Sequence, residues 1–263
     1  MCRLVAYLGP PVTLEALLVA PPHGLAHQAW APARQVSGTV NADGFGVGWY
    51  DRSRRPEPAV HRTTLPMWAD RSFSSFGGLV ASTAVVAAVR GATAPAPTEP
   101  SGTPPFTRGT WLFAHNGAVT GFRDGVGAAL RRRLTPEQES AILGAADSEV
   151  LFHLALARLA AGATPSEALC EVVAAVEAHE GGRLNLVLTD GERLAATRAG
   201  DSLWLLADGD RTIVASEPFD DDPAWSEVPD RSVVTATAGA ATVAPLPDPE
   251  AADRPAPDES DPA

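Results

Sequence analysis

The sequence opens with Met1-Cys2-Arg3-Leu4-Val5-Ala6-Tyr7, which places a cysteine directly after the initiator and in front of an apolar run. We expect this run to form a strand within a central sheet, because a loose terminus would not hold a thiol and an amine in fixed geometry. Removal of Met1 gives Cys2 a free α-amine with a pKa of about 7.7 to 8.0, beside a thiol with a pKa of about 8.5. The stretch therefore predicts a nucleophile with its own base. The alternative is an incidental cysteine, since any residue can follow the initiator.

The composition is typical of a globular protein. Its 263 residues and 45% hydrophobic content suit one large core, and the net charge of -12 argues against nucleic-acid binding, which needs a basic surface. No apolar run approaches the roughly 20 residues that a membrane helix requires. Only two cysteines occur, Cys2 and Cys170, and no secretory leader precedes them, so we expect a cytoplasmic protein without disulfides.

The C-terminal segment differs from the rest of the chain. Residues 247–263 are rich in proline and alanine and carry six acidic side chains against one arginine. Such a segment has little to bury, which is typical of disorder. We therefore predict one folded domain over residues 2–246 and a disordered acidic tail over residues 247–263.

Short apolar runs in the first half of the chain predict strands. The runs at residues 85–89 and 111–114 have no polar face, which indicates burial on both sides of a sheet. Two further strands are predicted at residues 45–50 and 59–63. The loop between residues 93 and 107 contains five prolines, too many for a helix or a strand.

Helices are predicted in the middle of the chain. Thr164-Pro165-Ser166-Glu167 has the pattern of a capping box, and an apolar stripe follows it. A similar stripe covers residues 150–161, and a short turn between the two predicts an antiparallel helix pair. A further helix is predicted at residues 122–133. After Gly182 the chain returns to short strands separated by Asp-Gly turns, which predict hairpins.

This order of strands, helices and strands predicts an α+β fold. Its simplest form is a sandwich of two antiparallel sheets that face each other between helical layers.

His115-Asn116-Gly117 follows a buried strand and contains two neutral hydrogen-bond donors, the Asn116 amide and the Gly117 backbone N–H. Such donors can stabilise the negative oxygen that forms when a nucleophile attacks a carbonyl, and losing one costs on the order of 100-fold in rate. The alternative is an ordinary Asn-Gly turn.

Two charged residues could recognise a free α-amino acid. Arg90, at the end of an apolar strand, can clamp a carboxylate with two parallel hydrogen bonds. Asp147, just before a helix, can bind an ammonium group. The alternatives are a surface arginine that covers a strand end and an aspartate that serves as a helix N-cap.

Together these residues resemble the class II glutamine amidotransferase family of N-terminal-nucleophile hydrolases, over most of the chain up to about Ala215. The resemblance implies a four-layer αββα sandwich with Cys2 as nucleophile and its own amine as base. It also implies an oxyanion hole formed by Asn116 and Gly117. The glutamyl carboxylate would bind to Arg90 and Thr93 and the glutamyl amine to Asp147, with His115 also among the substrate-binding residues.

Several further segments resemble the ergothioneine-pathway amidohydrolase family. They are Pro21-Pro22-His23-Gly24-Leu25, Asn41-Ala42-Asp43-Gly44-Phe45-Gly46, Leu65-Pro66-Met67-Trp68-Ala69-Asp70-Arg71-Ser72-Phe73, residues 85–93 and Ala215-Ser216-Glu217-Pro218. The resemblance implies cleavage of γ-glutamyl-hercynylcysteine sulfoxide to hercynylcysteine sulfoxide and glutamate.

The expected hydrolase uses neither a cofactor nor a metal and needs no synthase partner, nucleic acid or membrane. Two alternatives remain open from the residues. One is a glutaminase module that supplies ammonia to a partner synthase, and the other is a non-catalytic protein that binds γ-glutamyl ligands.

Overall fold

The structure is a computed structural model that describes residues 2–36, 38–91 and 99–247. Thr93 and almost all of the predicted acidic tail lie outside the described residues. In the part of the chain that is described, no helix is both long and apolar enough to cross a membrane.

The strands are β1 (Cys2–Thr13), β2 (Phe45–Trp49), β3 (Ala59–Thr63), β4 (Ala81–Arg90), β5 (Phe106–Arg108), β6 (Trp111–Val119), β7 (Gly182–Thr189), β8 (Leu194–Arg198), β9 (Trp204–Asp208), β10 (Arg211–Ala215), β11 (Ser226–Glu227), β12 (Ser232–Thr237) and β13 (Ala240–Pro245). The helices are α1 (Leu14–Leu18), α2 (Leu25–Gln28), α3 (Arg71–Phe76), α4 (Val126–Arg131), α5 (Pro136–Ser140), α6 (Asp147–Ala160) and α7 (Pro165–Glu177).

The strands form two antiparallel sheets. The first has the order β11-β9-β10-β1-β4-β2-β3, and the second has the order β13-β12-β8-β7-β6-β5. Strand β1 is central in the first sheet, as predicted, because it pairs with β10 on one side and β4 on the other. Cys2, at the start of β1, is therefore held by sheet hydrogen bonding rather than by a loose terminus.

The molecule has four layers of secondary structure, and an apolar core lies between each pair of adjacent layers. Leu4 and Ala6 of β1 face a core between the two sheets. Val5 and Tyr7 point to the opposite face, as the two-residue period of a strand requires, and pack with side chains of α1, α2 and α3. A third core joins the outer face of the second sheet to α4, α6 and α7. The αββα sandwich is therefore confirmed.

Several predicted elements are confirmed closely. Strand β3 has the predicted bounds, and Thr164 caps α7 in a capping box with Glu167. Helices α6 and α7 pack against each other across the short turn that joins them.

Strand β6 is longer than the sequence predicted. It does not end at Ala114, because β7 runs beside it as far as the pair formed by Val119 and Gly182. Asn116 lies opposite Asn185 within the ladder, so the alternative of an Asn-Gly turn is wrong. A Cβ atom on Gly117 would lie 1.8 Å from the carbonyl oxygen of Arg183, and only glycine permits this close approach.

The prediction of a helix over residues 122–133 is wrong for the first part of that range. Gly125 has a φ of 120°, a conformation that is unfavourable for residues other than glycine and that interrupts a continuous helix. The segment consists of a 3₁₀ turn, Phe122–Asp124, followed by α4.

Candidate active site

A cavity of about 350 Å³ opens where the ends of β1, β4 and β6 meet the start of α6. Its lining includes Cys2, Arg90, His115, Gly117 and Asp147. These residues come from four separate elements, and all five were predicted as site residues. We refer to this cavity as the cleft.

Cys2 is half-buried and lies directly opposite Arg90 in the β1–β4 ladder. Burial raises the pKa of the Cys2 thiol, while a hydrogen bond from the Gly91 backbone and the charge of Arg90 act in the opposite direction. The raised pKa favours the thiol over the thiolate. A reaction at this sulfur requires a base that removes the proton.

Asn116 is fully buried behind Cys2 and bridges the two sheets. Its Oδ1 accepts a hydrogen bond from the Cys2 nitrogen at 3.1 Å, and its Nδ2 lies 3.5 Å from Ser216 Oγ. Ser216 Oγ in turn accepts a hydrogen bond from the Leu4 backbone at 3.0 Å. The amide is thus fixed against the strand that carries the nucleophile. Its contact with the Cys2 nitrogen was not predicted from the sequence.

Arg90 is 7% exposed at the end of β4, so the alternative of a surface arginine is wrong. Its backbone N–H donates to Gly44 O, and its carbonyl accepts from Asp43 N–H, both at 2.8 Å. The loop before β2 therefore fixes the backbone from which the guanidinium reaches the cleft.

Asp147 is the first residue of α6, and Ala146 is the N-cap, so the alternative role of Asp147 as N-cap is wrong. Its Oδ2 accepts a hydrogen bond from Val119 N–H at 3.0 Å, and its Oδ1 accepts one from Ser148 N–H at 2.7 Å. These bonds fix the carboxylate at the junction of β6 and α6, beside the cleft.

His115 uses both ring nitrogens within the protein. Nε2 lies 2.9 Å from Arg183 O, and Nδ1 lies 3.0 Å from Ser148 Oγ. Because a carbonyl oxygen only accepts, Nε2 carries a proton. A direct substrate contact from a ring nitrogen of His115, as predicted, would require one of these bonds to break.

The sequence did not single out three parts of the site. Ser148 joins His115 to Asp147, and Ser216 supports Asn116. The turn Phe122–Asp124 lines the cleft beyond Val119. Only Ser216 had a signal, since it belongs to the Ala215-Ser216-Glu217-Pro218 segment. In the described ranges, no group of three or more His, Cys, Asp or Glu side chains is arranged to hold a metal ion.

The chain matches known proteins over most of its length. The sequence profile described as "Glutamine amidotransferases class-II" matches residues 24–209. A γ-glutamyl-hercynylcysteine sulfoxide hydrolase from Mycolicibacterium smegmatis is 41% identical, over 94% of this chain and all of the relative. A hydrolase of the same name from Mycobacterium tuberculosis is 40% identical, over 94% of this chain and 97% of the relative.

Solved structures agree with these matches. A glutamine aminotransferase class-II domain protein from Silicibacter pomeroyi superimposes with a TM-score of 0.69 at 27% identity, covering 94% of this chain and all of that one. The glutamine phosphoribosylpyrophosphate amidotransferase of B. subtilis shares the fold, with a TM-score of 0.65 at 15% identity, but this chain covers only 49% of it. With its profile match over residues 24–209 and relatives at 40–41% identity that align over at least 97% of their own length, the chain belongs to the class II glutamine amidotransferase family.

Proposed function

We propose that this protein hydrolyses the γ-glutamyl amide bond of γ-glutamyl-hercynylcysteine sulfoxide, releasing hercynylcysteine sulfoxide and glutamate in ergothioneine biosynthesis. The substrate is inferred from the two mycobacterial hydrolases, which align with this chain over 94% of its length. The observation that carries the reaction type is the position of Cys2, whose thiol lines the cleft while its nitrogen donates to Asn116 Oδ1.

The first half of the reaction forms a covalent intermediate. The Cys2 nitrogen donates to Asn116 Oδ1. Removal of Met1 converts this nitrogen from an amide into an α-amine, whose lone pair can then accept the thiol proton. The thiolate then attacks the γ-carbonyl carbon, a C–S bond forms, and the carbonyl electrons move onto the oxygen. We assign the stabilisation of this oxyanion to Asn116 Nδ2 and Gly117 N–H.

Collapse of the tetrahedral intermediate breaks the C–N bond. The α-ammonium of Cys2 transfers its proton to the departing nitrogen, so the leaving group departs as an amine and a glutamyl thioester remains on Cys2. In the second half, the same amine takes a proton from water as the water oxygen attacks the thioester. The C–S bond breaks, the proton passes to sulfur, and glutamate is released.

The two charges of the glutamyl head group have complementary partners in the cleft. We assign its α-carboxylate to Arg90, together with Thr93, and its α-ammonium to Asp147. His115 supports this site from behind, because its Nδ1 contacts Ser148 Oγ at 3.0 Å and Ser148 Oγ lies 3.2 Å from Asp147 Oδ1.

We also propose that the catalytic domain spans residues 2–246. Leu246 is still part of the core beneath the second sheet, and its N–H donates to Arg231 O at 2.8 Å. The hydrolase acts in the cytoplasm on a small molecule, without a synthase partner.

The proposed function is tested by following glutamate release from γ-glutamyl-hercynylcysteine sulfoxide and from glutamine. We expect turnover of the conjugate, a cysteine at the mature N-terminus by mass spectrometry, and loss of activity of at least about 1000-fold in Cys2→Ala. Cys170→Ala is the matched control, because Cys170 packs against the α6–α7 core away from the cleft.

Turnover of glutamine alone would instead favour an ammonia-supplying module. No glutamate release from either substrate would favour the non-catalytic binding protein. Full activity in Cys2→Ala would contradict the proposed nucleophile.

A further inference from the structure

The cleft has two further charged side chains beyond Arg90 and Asp147. Arg123 and Asp124 line it from the 3₁₀ turn Phe122–Asp124, which is separated from the end of β6 by two residues. The cleft lining therefore holds two arginines and two aspartates. A glutamyl head group has one carboxylate and one ammonium, so it accounts for only one charge of each sign.

Within the described residues, the charged groups of Arg123 and Asp124 are not paired with other protein groups. Among the described residues, neither the Arg123 guanidinium nor the Asp124 carboxylate makes a hydrogen bond or an ion pair, and both residues are exposed. The Asp147 carboxylate, by contrast, accepts hydrogen bonds from Val119 and Ser148. Arg123 and Asp124 are thus available to a bound molecule.

The turn that carries them is fixed at its base. Gly121 and Gly125 flank it with φ values of 62° and 120°, conformations that turn the chain sharply at both ends. Between them Phe122 packs against the apolar core of the second sheet and approaches Gly127, where a Cβ atom would lie 2.6 Å from Phe122 O. The two charged side chains therefore project from an anchored wall of the cleft.

We propose that Arg123 and Asp124 recognise the leaving group of the substrate and set the preference for a charged leaving group over an uncharged one. This inference rests on the proposed function. The hercynylcysteine sulfoxide part carries carboxylates, which complement Arg123, and a permanently cationic trimethylammonium group, which complements Asp124. In this proposal the two side chains bind the substrate and take no part in bond breaking.

The test compares two substrates in the full-length, processed protein. One is γ-glutamyl-hercynylcysteine sulfoxide, and the other is γ-glutamyl-p-nitroanilide, whose leaving group is neutral. The variants are Arg123→Ala, Asp124→Asn and the double substitution. Arg132→Ala is the matched control, because Arg132 is an exposed arginine at the end of α4 that does not line the cleft.

We expect each single substitution to raise KM for the conjugate by roughly three- to ten-fold with little change in kcat, and the double substitution to raise it further. For the anilide, kcat/KM of each variant should match that of the wild type. The control Arg132→Ala should match the wild type on both substrates. Unchanged KM for the conjugate, an equal loss on both substrates, or a loss confined to kcat would overturn the inference. A wild-type protein that releases no glutamate from the conjugate would contradict the proposed function itself.

Discussion

The Asn116 amide presents an acceptor with an observed contact and a donor with a proposed role. Its oxygen accepts from the Cys2 nitrogen at 3.1 Å, and its nitrogen is the donor that the proposed oxyanion hole requires. A carboxylate would preserve the acceptor and remove the donor, so the two functions can be separated by substitution.

We predict that Asn116→Asp lowers kcat for the conjugate by at least about 100-fold, with a much smaller change in KM, because the transition-state donor is replaced by a carboxylate oxygen that cannot donate and repels the oxyanion. Asn116→Ala removes both functions and should be at least as impaired. Steady-state kinetics on both variants, with circular dichroism to confirm folding, make the comparison. An Asn116→Asp enzyme as fast as the wild type would contradict the oxyanion role.

The sequence pointed to individual candidate residues of the site but not to the contacts between them. Cys2, Arg90 and Asp147 could be chosen from their local patterns, because a terminal thiol, a strand-end guanidinium and a helix-start carboxylate each have few chemical uses. The bond between Asn116 and the Cys2 nitrogen joins residues 114 positions apart. It exists only because two different sheets face each other, and no local pattern encodes that distance.

Secondary-structure elements were predictable where a local signal sets both ends. Thr164 and Glu167 form the capping box that their spacing indicates, and β3 has its predicted bounds. The bounds of an element were mispredicted where they are set by pairing with a distant strand or by an unusual backbone conformation. Strand β6 continues to Val119 because β7 lies beside it, and the helix predicted from residue 122 is interrupted at Gly125.

Asp70 shows how one side chain fixes an element in the first helical layer. It is 4% exposed, caps α3 through bonds from Ser72 N and Phe73 N, and lies 2.5 Å from His61 Nε2 on β3. Although burial raises the pKa of Asp70, the hydrogen bonds from His61, Phe73 and Ser72 outweigh it, so the pKa lies below its usual range.

We predict that Asp70→Ala lowers the free energy of unfolding by roughly 2 kcal/mol at pH 6, from the lost cap and the lost His61 contact. A carboxylate with a lowered pKa stabilises the fold above its unfolded pKa of about 3.9 and loses this effect as pH falls through its folded pKa. The difference between wild type and variant should therefore shrink at pH 3. Urea unfolding at pH 6 and pH 3 measures the difference in unfolding free energy between the two proteins. An equal difference at the two pH values would contradict a contribution from the Asp70 charge.

At the scale of the whole molecule, Glu217 ties together segments that are distant in the sequence. It follows β10 and is fully buried, accepting hydrogen bonds from Ala33 N at 3.3 Å and Arg34 N at 2.6 Å. His23 Nε2 lies 3.3 Å from the same carboxylate. Burial lowers the pKa of the neighbouring Arg3, and the charge of Glu217 opposes this effect. Glu217 thus stabilises the loop before β2 against the strand that carries Cys2.

We predict that Glu217→Ala lowers the free energy of unfolding by roughly 3 kcal/mol, because it removes the acceptor of the Ala33 and Arg34 N–H groups and the carboxylate charge that acts on the buried Arg3. Glu227→Ala is the matched control. Its carboxylate pairs with Arg198 at 2.9 Å but is 46% exposed, so solvent screens the pair and the loss should stay below about 1 kcal/mol. Urea unfolding of the three proteins at one pH gives both values. Equal losses in the two variants would mean that burial does not set the strength of the Glu217 contacts, and that the loop before β2 is held mainly by its other packing.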